Sequence, residues 1–340
     1  LSIRRRKKTM KLILYHANAM MKEIAENWAK ENQIEVTVLS ELLTAETVKL
    51  AKGYDGIINS QAAGTIDKEI YSTLREYGIR QIALVSAGYE LYDLKLATEN
   101  NLVITNVPSY SPESIAEYTV LTGLNLVRNN NTIIANVAKN DFRWQPSICG
   151  RVMGDMKVAI IGTGRIGQIT ARLFHGFGCE LVGFDLYQNE GIKSILTYKD
   201  SIEEAVKDAD IVSIHMPATA ENRHCFNYEM FKKFKPGAIL LNMARGSIVD
   251  TEGLLKALDE GILSGAGIDT YEYEMPYIQK DYQDKAIEDE VFARLVHHPR
   301  VMYSPHIAYF TDEAIKNLVE GALNAAVEVI TTGTSKSRVN

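Results

Sequence analysis

Cysteine is scarce in this 340-residue chain: Cys149, Cys179 and Cys225 are odd in number and far apart. They supply no disulfide framework and no CxxC metal pair, and they suit a reducing cytoplasm. Long apolar runs are also missing. None reaches bilayer length, so no membrane partner is expected. Basic charge is not in excess; the net charge of −6 argues against general affinity for nucleic acid. There is no GxSxG nucleophile elbow and no P-loop lysine motif. His297 and His298 are adjacent, a poor geometry for one ion, and no His/Cys/carboxylate cluster has ligand spacing, so no metal is expected. What remains is an average soluble composition, 46% hydrophobic and 24% charged, in one large or two ordinary domains. One stretch breaks the acidic balance. Residues 1–9 carry the basic run Arg4-Arg5-Arg6-Lys7-Lys8 directly before Met10-Lys11-Leu12-Ile13-Leu14, a natural start and first strand. They are read as a leader outside the fold, with a basic targeting arm as the other reading.

From Met10 the pattern alternates strand and helix. Leu12–Tyr15, Glu35–Leu39, Gly56–Asn59, Gln81–Val85 and Leu102–Asn106 read as strands. Met21–Lys30, Ala45–Ala51 and Asp67–Tyr77 read as helices between them. Such alternation predicts a parallel sheet covered on both faces. Pro108 and Pro112 interrupt it, and Ser111-Pro112-Glu113 begins a long helix to about Val127, with a second from Thr132 to Lys139. A further series of βα units follows, ending in a helix from Asp312 to about Ile330. Met275 to Glu290 reads as a polar loop bearing tyrosines.

The second half opens with Gly162-Thr163-Gly164-Arg165-Ile166-Gly167, between the apolar run Lys157–Ile161 and a helix-like stretch. Leu181-Val182-Gly183-Phe184-Asp185 ends in an acid about 20 residues on, which completes the dinucleotide fingerprint. The first glycine makes the turn, the second admits a pyrophosphate, and the third lets helix and strand close up. The free N–H groups at the positive helix end face the phosphates. Asp185 accepts from ribose hydroxyls and repels a 2′-phosphate. No Arg follows it, so NAD is expected over NADP.

Ligands of open parallel sheets sit beyond the carboxyl ends of the strands. Arg245 follows one strand, where a guanidinium can bind a carboxylate bidentately or form an ordinary surface ion pair. Asp269, Glu272 and Glu274 follow another and can orient a histidine or form a solvated acidic loop. His306 follows a third and has the chemistry of a general acid/base, but His16 and His215 also follow strands.

Together the fingerprint, Ala244-Arg245-Gly246, Gly267-Ile268-Asp269 through Glu274, and Ser304-Pro305-His306 make the chain resemble the NAD-dependent D-isomer-specific 2-hydroxyacid dehydrogenases over residues 10–340. Asn106-Val107-Pro108-Ser109-Tyr110-Ser111-Pro112 and His306-Ile307-Ala308-Tyr309 are most similar to the D-lactate dehydrogenase branch of Gram-positive bacteria. The resemblance implies two doubly wound parallel-sheet α/β domains with a cleft between them. A flavodoxin-like substrate domain would span 10–108 and 309–340, and a Rossmann coenzyme domain 109–308. It implies that His306 is the acid/base, Glu274 its partner, and Arg245 the ligand of the substrate carboxylate and carbonyl. The NAD residues it implies are Gly162, Gly164, Arg165, Ile166 and Gly167, then Asp185, Met216, Pro217, Asn222, Met243, Ala244 and Asp269. Ala87 and Gly88 would bind the substrate carboxylate through their amides, and Tyr110 would line the pocket. A homodimer through the coenzyme domain is implied too.

The implied reaction is reduction of pyruvate to D-lactate with NADH. The alternative is a D-2-hydroxyisocaproate-type enzyme acting on branched 2-oxo acids. Two departures bear on that choice. Near relatives carry Arg where this chain has Val85, and Asp where it has Glu90. The segment Asn59-Ser60-Gln61-Ala62-Ala63-Gly64 is small-residued where relatives place a bulkier wall. Dinucleotide-sensing corepressors share the fold and the Arg/Glu/His set, but no added partner-binding extension occurs here.

Overall fold

The computed structural model describes residues 9–61 and 66–340. Residues 1–8 of the expected leader, and Ala62, Ala63 and Gly64 of the expected pocket wall, lie outside the described residues. The chain divides into two compact units. One ends at Ser111 and resumes at Phe310; the other is Pro112–Tyr309.

The first unit contains β1 (Lys11–Tyr15), α1 (Ala19–Asn32), β2 (Glu35–Val38), β3 (Gly56–Asn59), α2 (Lys68–Glu76), β4 (Gln81–Leu84), α3 (Leu94–Glu99) and β5 (Val103–Thr105). Its strands are all parallel, in the order β2-β1-β3-β4-β5, the flavodoxin-like winding. Strands buried on both faces read as continuous apolar runs, as Gly56-Ile57-Ile58 and Ile82-Ala83-Leu84 do. The Ala45–Ala51 helix expected from the sequence is instead a 3₁₀ segment, Thr47–Ala51. The hydroxyls of Thr44 and Thr47 explain the difference. Each accepts the other's backbone N–H, at 3.2 and 2.9 Å, and so competes with helical pairing.

The second unit contains α4 (Pro112–Val127), α5 (Asn130–Val137), β6 (Lys157–Ile161), α6 (Arg165–Gly176), β7 (Glu180–Phe184), β8 (Thr197–Tyr198), α7 (Ile202–Val206), β9 (Ile211–Ile214), α8 (Tyr228–Phe231), β10 (Ala238–Asn242), α9 (Thr251–Asp259), β11 (Leu263–Ile268), α10 (Glu290–His297) and β12 (Val301–Tyr303). All strands are parallel, in the order β12-β11-β10-β9-β6-β7-β8. The winding reverses beside β6, which is the dinucleotide-binding topology. The period-2 alternation of a strand divides the core. Ala159, Ile161, Val212, Ile214 and Leu240 pack on one face, and Val158, Ile160, Ile211, Ile239 and Leu241 on the other.

The last helix, α11 (Asp312–Thr332), belongs to the first unit. Thr311 caps it by accepting the Ala314 N–H, and Asp312 and Glu313 occupy its positive end. Trp28 Nε1 donates to Asn324 Oδ1 at 3.1 Å, and Asn317 Nδ2 donates to the Tyr110 carbonyl at 2.6 Å. The tail beyond α11 returns along β5: Asn106 N–H donates to the Ser337 carbonyl and Val339 N–H to Ile104. This covers the β5 edge.

Candidate active site

The second unit presents its functional side chains at the carboxyl ends of β6, β7, β9, β10, β11 and β12. Gly162 has φ +94°, and a Cβ there would lie 2.7 Å from the His215 carbonyl carbon and the Met216 nitrogen. A Cβ on Gly167 would overlap the Gly162 carbonyl oxygen. Gly164 differs from both. A Cβ there would meet nothing within 4 Å, and Gly164 begins α6 without a side-chain cap. Open space, free backbone donors and a positive helix end fit a pyrophosphate. Arg165 is exposed and Ile166 half-buried at the same end. Asp185 ends β7, where its carboxylate accepts the N–H groups of Thr163 and Tyr187. These residues fit NAD, with Asp185 at the distance along the chain where a ribose is recognised.

The loop after β9 carries Met216, Pro217 and Asn222. Asn222 folds that loop on itself: Nδ2 donates to the Pro217 carbonyl at 2.7 Å, and Oδ1 accepts the Thr219 N–H at 2.8 Å. After β10, the buried Asn242 does similar work. Its Oδ1 accepts the Ala244 N–H, and its Nδ2 donates to the Arg245 carbonyl. The Met243-Ala244-Arg245 turn is thereby fixed, with the Arg245 side chain exposed. Asn242 holds the candidate site's turn, and the sequence reading did not single it out. Its signal is a polar residue closing the apolar strand Ala-Ile-Leu-Leu.

Asp269 ends β11 and is buried. It accepts from the Ser304 hydroxyl at 2.5 Å, the Ile307 N–H at 2.9 Å and the Ala308 N–H at 3.0 Å. Its backbone carbonyl takes the His306 N–H at 2.8 Å. Burial raises its pKa, against the lowering effect of these donors and of His306. Both of its oxygens are thus engaged by the loop that carries His306.

His306 sits in the left-handed region, φ +57°, in the turn after β12. Nδ1 lies 2.6 Å from Glu274 Oε1. Glu274 is buried, and its other oxygen accepts the Tyr271 N–H at 2.8 Å. Burial alone would lower the His306 pKa. The hydrogen bond and charge of Glu274, with the charge of Asp269, overcome that and leave it raised, while the positive charge of Arg245 pulls the other way. Arg245, Glu274 and His306 therefore share one electrostatic neighbourhood.

The acidic segment is not a solvated loop. Tyr271 and Tyr277 stack on Phe292 at 4.9 and 4.7 Å between centroids, and Phe292 meets Tyr303 edge-on. This aromatic group anchors the irregular chain between β11 and α10. Glu272 does not reach His306; it pairs with Arg223 and with His224 Nε2, the latter at 2.7 Å. The other strand-end histidines differ from His306. Burial holds the pKa of His215 down to about 3, and its Nε2 lies 2.8 Å from the Ser213 hydroxyl. Burial also lowers that of His16.

In the first unit, the segment after β4 turns its carbonyls inward. Ser86 accepts the Val107 N–H, Ala87 the Asn106 side chain, and Gly88 the Ser86 hydroxyl. Among the described residues the N–H groups of Ala87 and Gly88 have no hydrogen-bond partner. A Cβ on Gly88 would meet the Glu90 carboxylate at 2.6 Å. Tyr110 lies just before the second unit, half-buried.

Residues 120–308 match the family model of the D-isomer specific 2-hydroxyacid dehydrogenase NAD binding domain. A D-lactate dehydrogenase of Streptococcus pyogenes serotype M1 is 58% identical over 331 residues, 97% of this chain and all of that one. The chain belongs to the D-isomer-specific 2-hydroxyacid dehydrogenase family. Its cofactor is NAD, as the matched domain requires. Among solved structures, this 2-hydroxyacid dehydrogenase is similar to a D-lactate dehydrogenase of Treponema pallidum, with TM-score 0.92 and 38% identity over 97% of this chain and all of that one. It is also similar to a D-2-hydroxyisocaproate dehydrogenase, with TM-score 0.90 and 33% identity over 97% of this chain and 99% of that one. Among the described residues of this family member, no group of three or more His, Cys, Asp or Glu could hold a metal ion, and no helix is long and apolar enough to cross a membrane.

Proposed function

We propose that this dehydrogenase reduces pyruvate to D-lactate. The carrying observation is the 2.6 Å contact of His306 Nδ1 with the buried Glu274, beside the charge of Arg245. Because Nδ1 faces Glu274, Nε2 is the atom that delivers the proton to the substrate carbonyl oxygen. Glu274 and Asp269 favour the imidazolium, the form that can donate. Arg245 binds the carboxylate and polarises the carbonyl. The amides of Ala87 and Gly88 add donors for the carboxylate, and Tyr110 borders the pocket. NADH, when bound, supplies the hydride. Gly162, Gly164, Arg165, Ile166 and Gly167 hold its pyrophosphate, Asp185 its adenosine ribose, and Met216, Pro217, Asn222, Met243, Ala244 and Asp269 its remaining length.

NADH oxidation with a panel of 2-oxo acids, and chiral analysis of the product, test the reading. Pyruvate should give D-lactate; failure to turn over pyruvate would overturn it. The branched-acid reading draws on the likeness to the solved D-2-hydroxyisocaproate dehydrogenase. The ratio of kcat/KM for pyruvate and 4-methyl-2-oxopentanoate decides it: their side chains differ by three carbons, and one methylene alone in an apolar pocket discriminates by ~10–200-fold.

Two further assignments belong to the proposal. The cysteines are all free, which suits a reducing cytoplasm; cell fractionation checks the location. The enzyme forms a homodimer through the second unit, where large apolar side chains are exposed along α4, α5 and the segment after them.

A further inference from the structure

We propose that Tyr198, on the short edge strand β8, is a positioning residue that locks Asp185 and thereby enforces NAD over NADP. This rests on the reading of Asp185 as the ribose acceptor. The argument is one of hydrogen-bond direction. Tyr198 Oη accepts the Asn189 N–H at 2.8 Å. An N–H can only donate, so the Tyr198 hydroxyl proton is directed to its other neighbour, Thr163 Oγ1, 2.8 Å away. Thr163 then donates its own proton to Asp185 Oδ2, at 3.0 Å, because an ionised carboxylate can only accept. The chain Asn189→Tyr198→Thr163→Asp185 therefore runs one way and ends on the carboxylate. Chains of this kind polarise each link toward the terminal acceptor.

The same carboxylate is tied to backbone as well. Thr163 N–H reaches Oδ2 and Tyr187 N–H reaches Oδ1. With both oxygens held, Asp185 cannot rotate away from an incoming group. A ribose with free hydroxyls finds fixed acceptors, whereas a 2′-phosphate finds a fixed negative charge. Thr163 lies inside the fingerprint and is buried, so the glycine loop and the discriminating acid are one unit, joined through a side chain from β8. Nothing in the fingerprint itself names Tyr198, which lies thirteen positions beyond Asp185.

Direct binding of NADH and NADPH to the full-length protein, followed by nucleotide fluorescence, tests the relay. Tyr198→Phe should weaken NADH and lower the NADH-over-NADPH affinity ratio by about fivefold to tenfold, the scale of one hydrogen bond between neutral groups. Thr163→Val should lower the ratio similarly, Thr163→Ser should retain it, and the Tyr198→Phe/Thr163→Val double variant should lose little more than either alone. If Tyr198→Phe lowers the melting temperature but keeps the wild-type ratio, the residue is merely structural and the proposal is overturned. Asp185→Asn separates the two levels. If it lowers the ratio while Tyr198→Phe does not, the relay fails and Asp185 stands; if Asp185→Asn leaves the ratio unchanged, the ribose reading fails and the relay with it.

Discussion

His306 draws its chemistry from its partners rather than from its own type. Three histidines follow strands, and no pattern in the sequence separates them. The structure does so by charge: His306 faces the buried Glu274, whereas burial lowers the pKa of both His215 and His16. His306→Gln should cut kcat/KM for pyruvate by about 10²–10⁴-fold, the usual range of general acid catalysis, and retention of full turnover would remove it from the mechanism. The pH dependence has a definite sign. Reduction needs the protonated ring, so kcat/KM should fall as pH rises through the raised His306 pKa. Glu274→Gln removes the charge that raises it and should move that fall to lower pH; an unmoved limb would show that Glu274 does not set it. Stability follows the same linkage. A pKa raised by folding gives stabilisation that is complete below the unfolded value of about 6.5 and is lost as pH rises through the folded value. Asp269 makes a different prediction. Asp269→Asn replaces an acceptor oxygen by an NH₂ facing donors, so urea unfolding should show a loss of ~1–3 kcal/mol even without cofactor. An unchanged midpoint would mean that the 304–308 loop does not depend on this carboxylate.

At the scale of the element, the long periodic segments were legible and the short ones were not. α1, α4 and α11 carry enough turns for their apolar faces to repeat, and β6 and β10 are continuous apolar runs. α3, with six residues, and β8, with two, have too little length for any period. β8 was therefore invisible, although it supplies Tyr198. Glu272 was visible but ambiguous, because spacing cannot tell which of three nearby carboxylates turns inward. The glycine fingerprint was legible as a motif, and the structure separates the duties of its glycines. Gly164→Ala adds a methyl where nothing lies within 4 Å and φ is an ordinary −65°. Thermal unfolding without cofactor should barely change, while NADH affinity falls, since the methyl enters the space kept for the pyrophosphate. Gly167→Ala puts a methyl onto the Gly162 carbonyl oxygen, so the unfolding temperature of the apoprotein should itself drop. The idea fails if the two variants lose stability and affinity in the same proportion.

For the whole molecule, alternation of strand and helix told of parallel sheets, but not which sheet the last helix joins. That depends on side chains far apart in sequence, such as Trp28 with Asn324. The surface is governed by the same distinction. Ile134, Phe142 and Trp144 are 59, 70 and 97% exposed, and Leu121, Val137 and Val152 are exposed as well. Scattered apolar residues on a surface are ordinary, but six of them within 32 positions of one unit, one of them a bare indole, are the surface to which the proposed dimer assigns its interface. A homodimer places the same patch on both sides of its two-fold axis, so one substitution acts twice. Phe142→Asp with Trp144→Asp should therefore convert the protein to a monomer in light scattering after size exclusion, at micromolar concentrations where the parent is a dimer. The melting temperature of the parent should rise with protein concentration, and that of the variant should not, because association stabilises only what associates. A parent that is already monomeric at these concentrations would refute the dimer, and a variant that remains dimeric would move the interface away from this face.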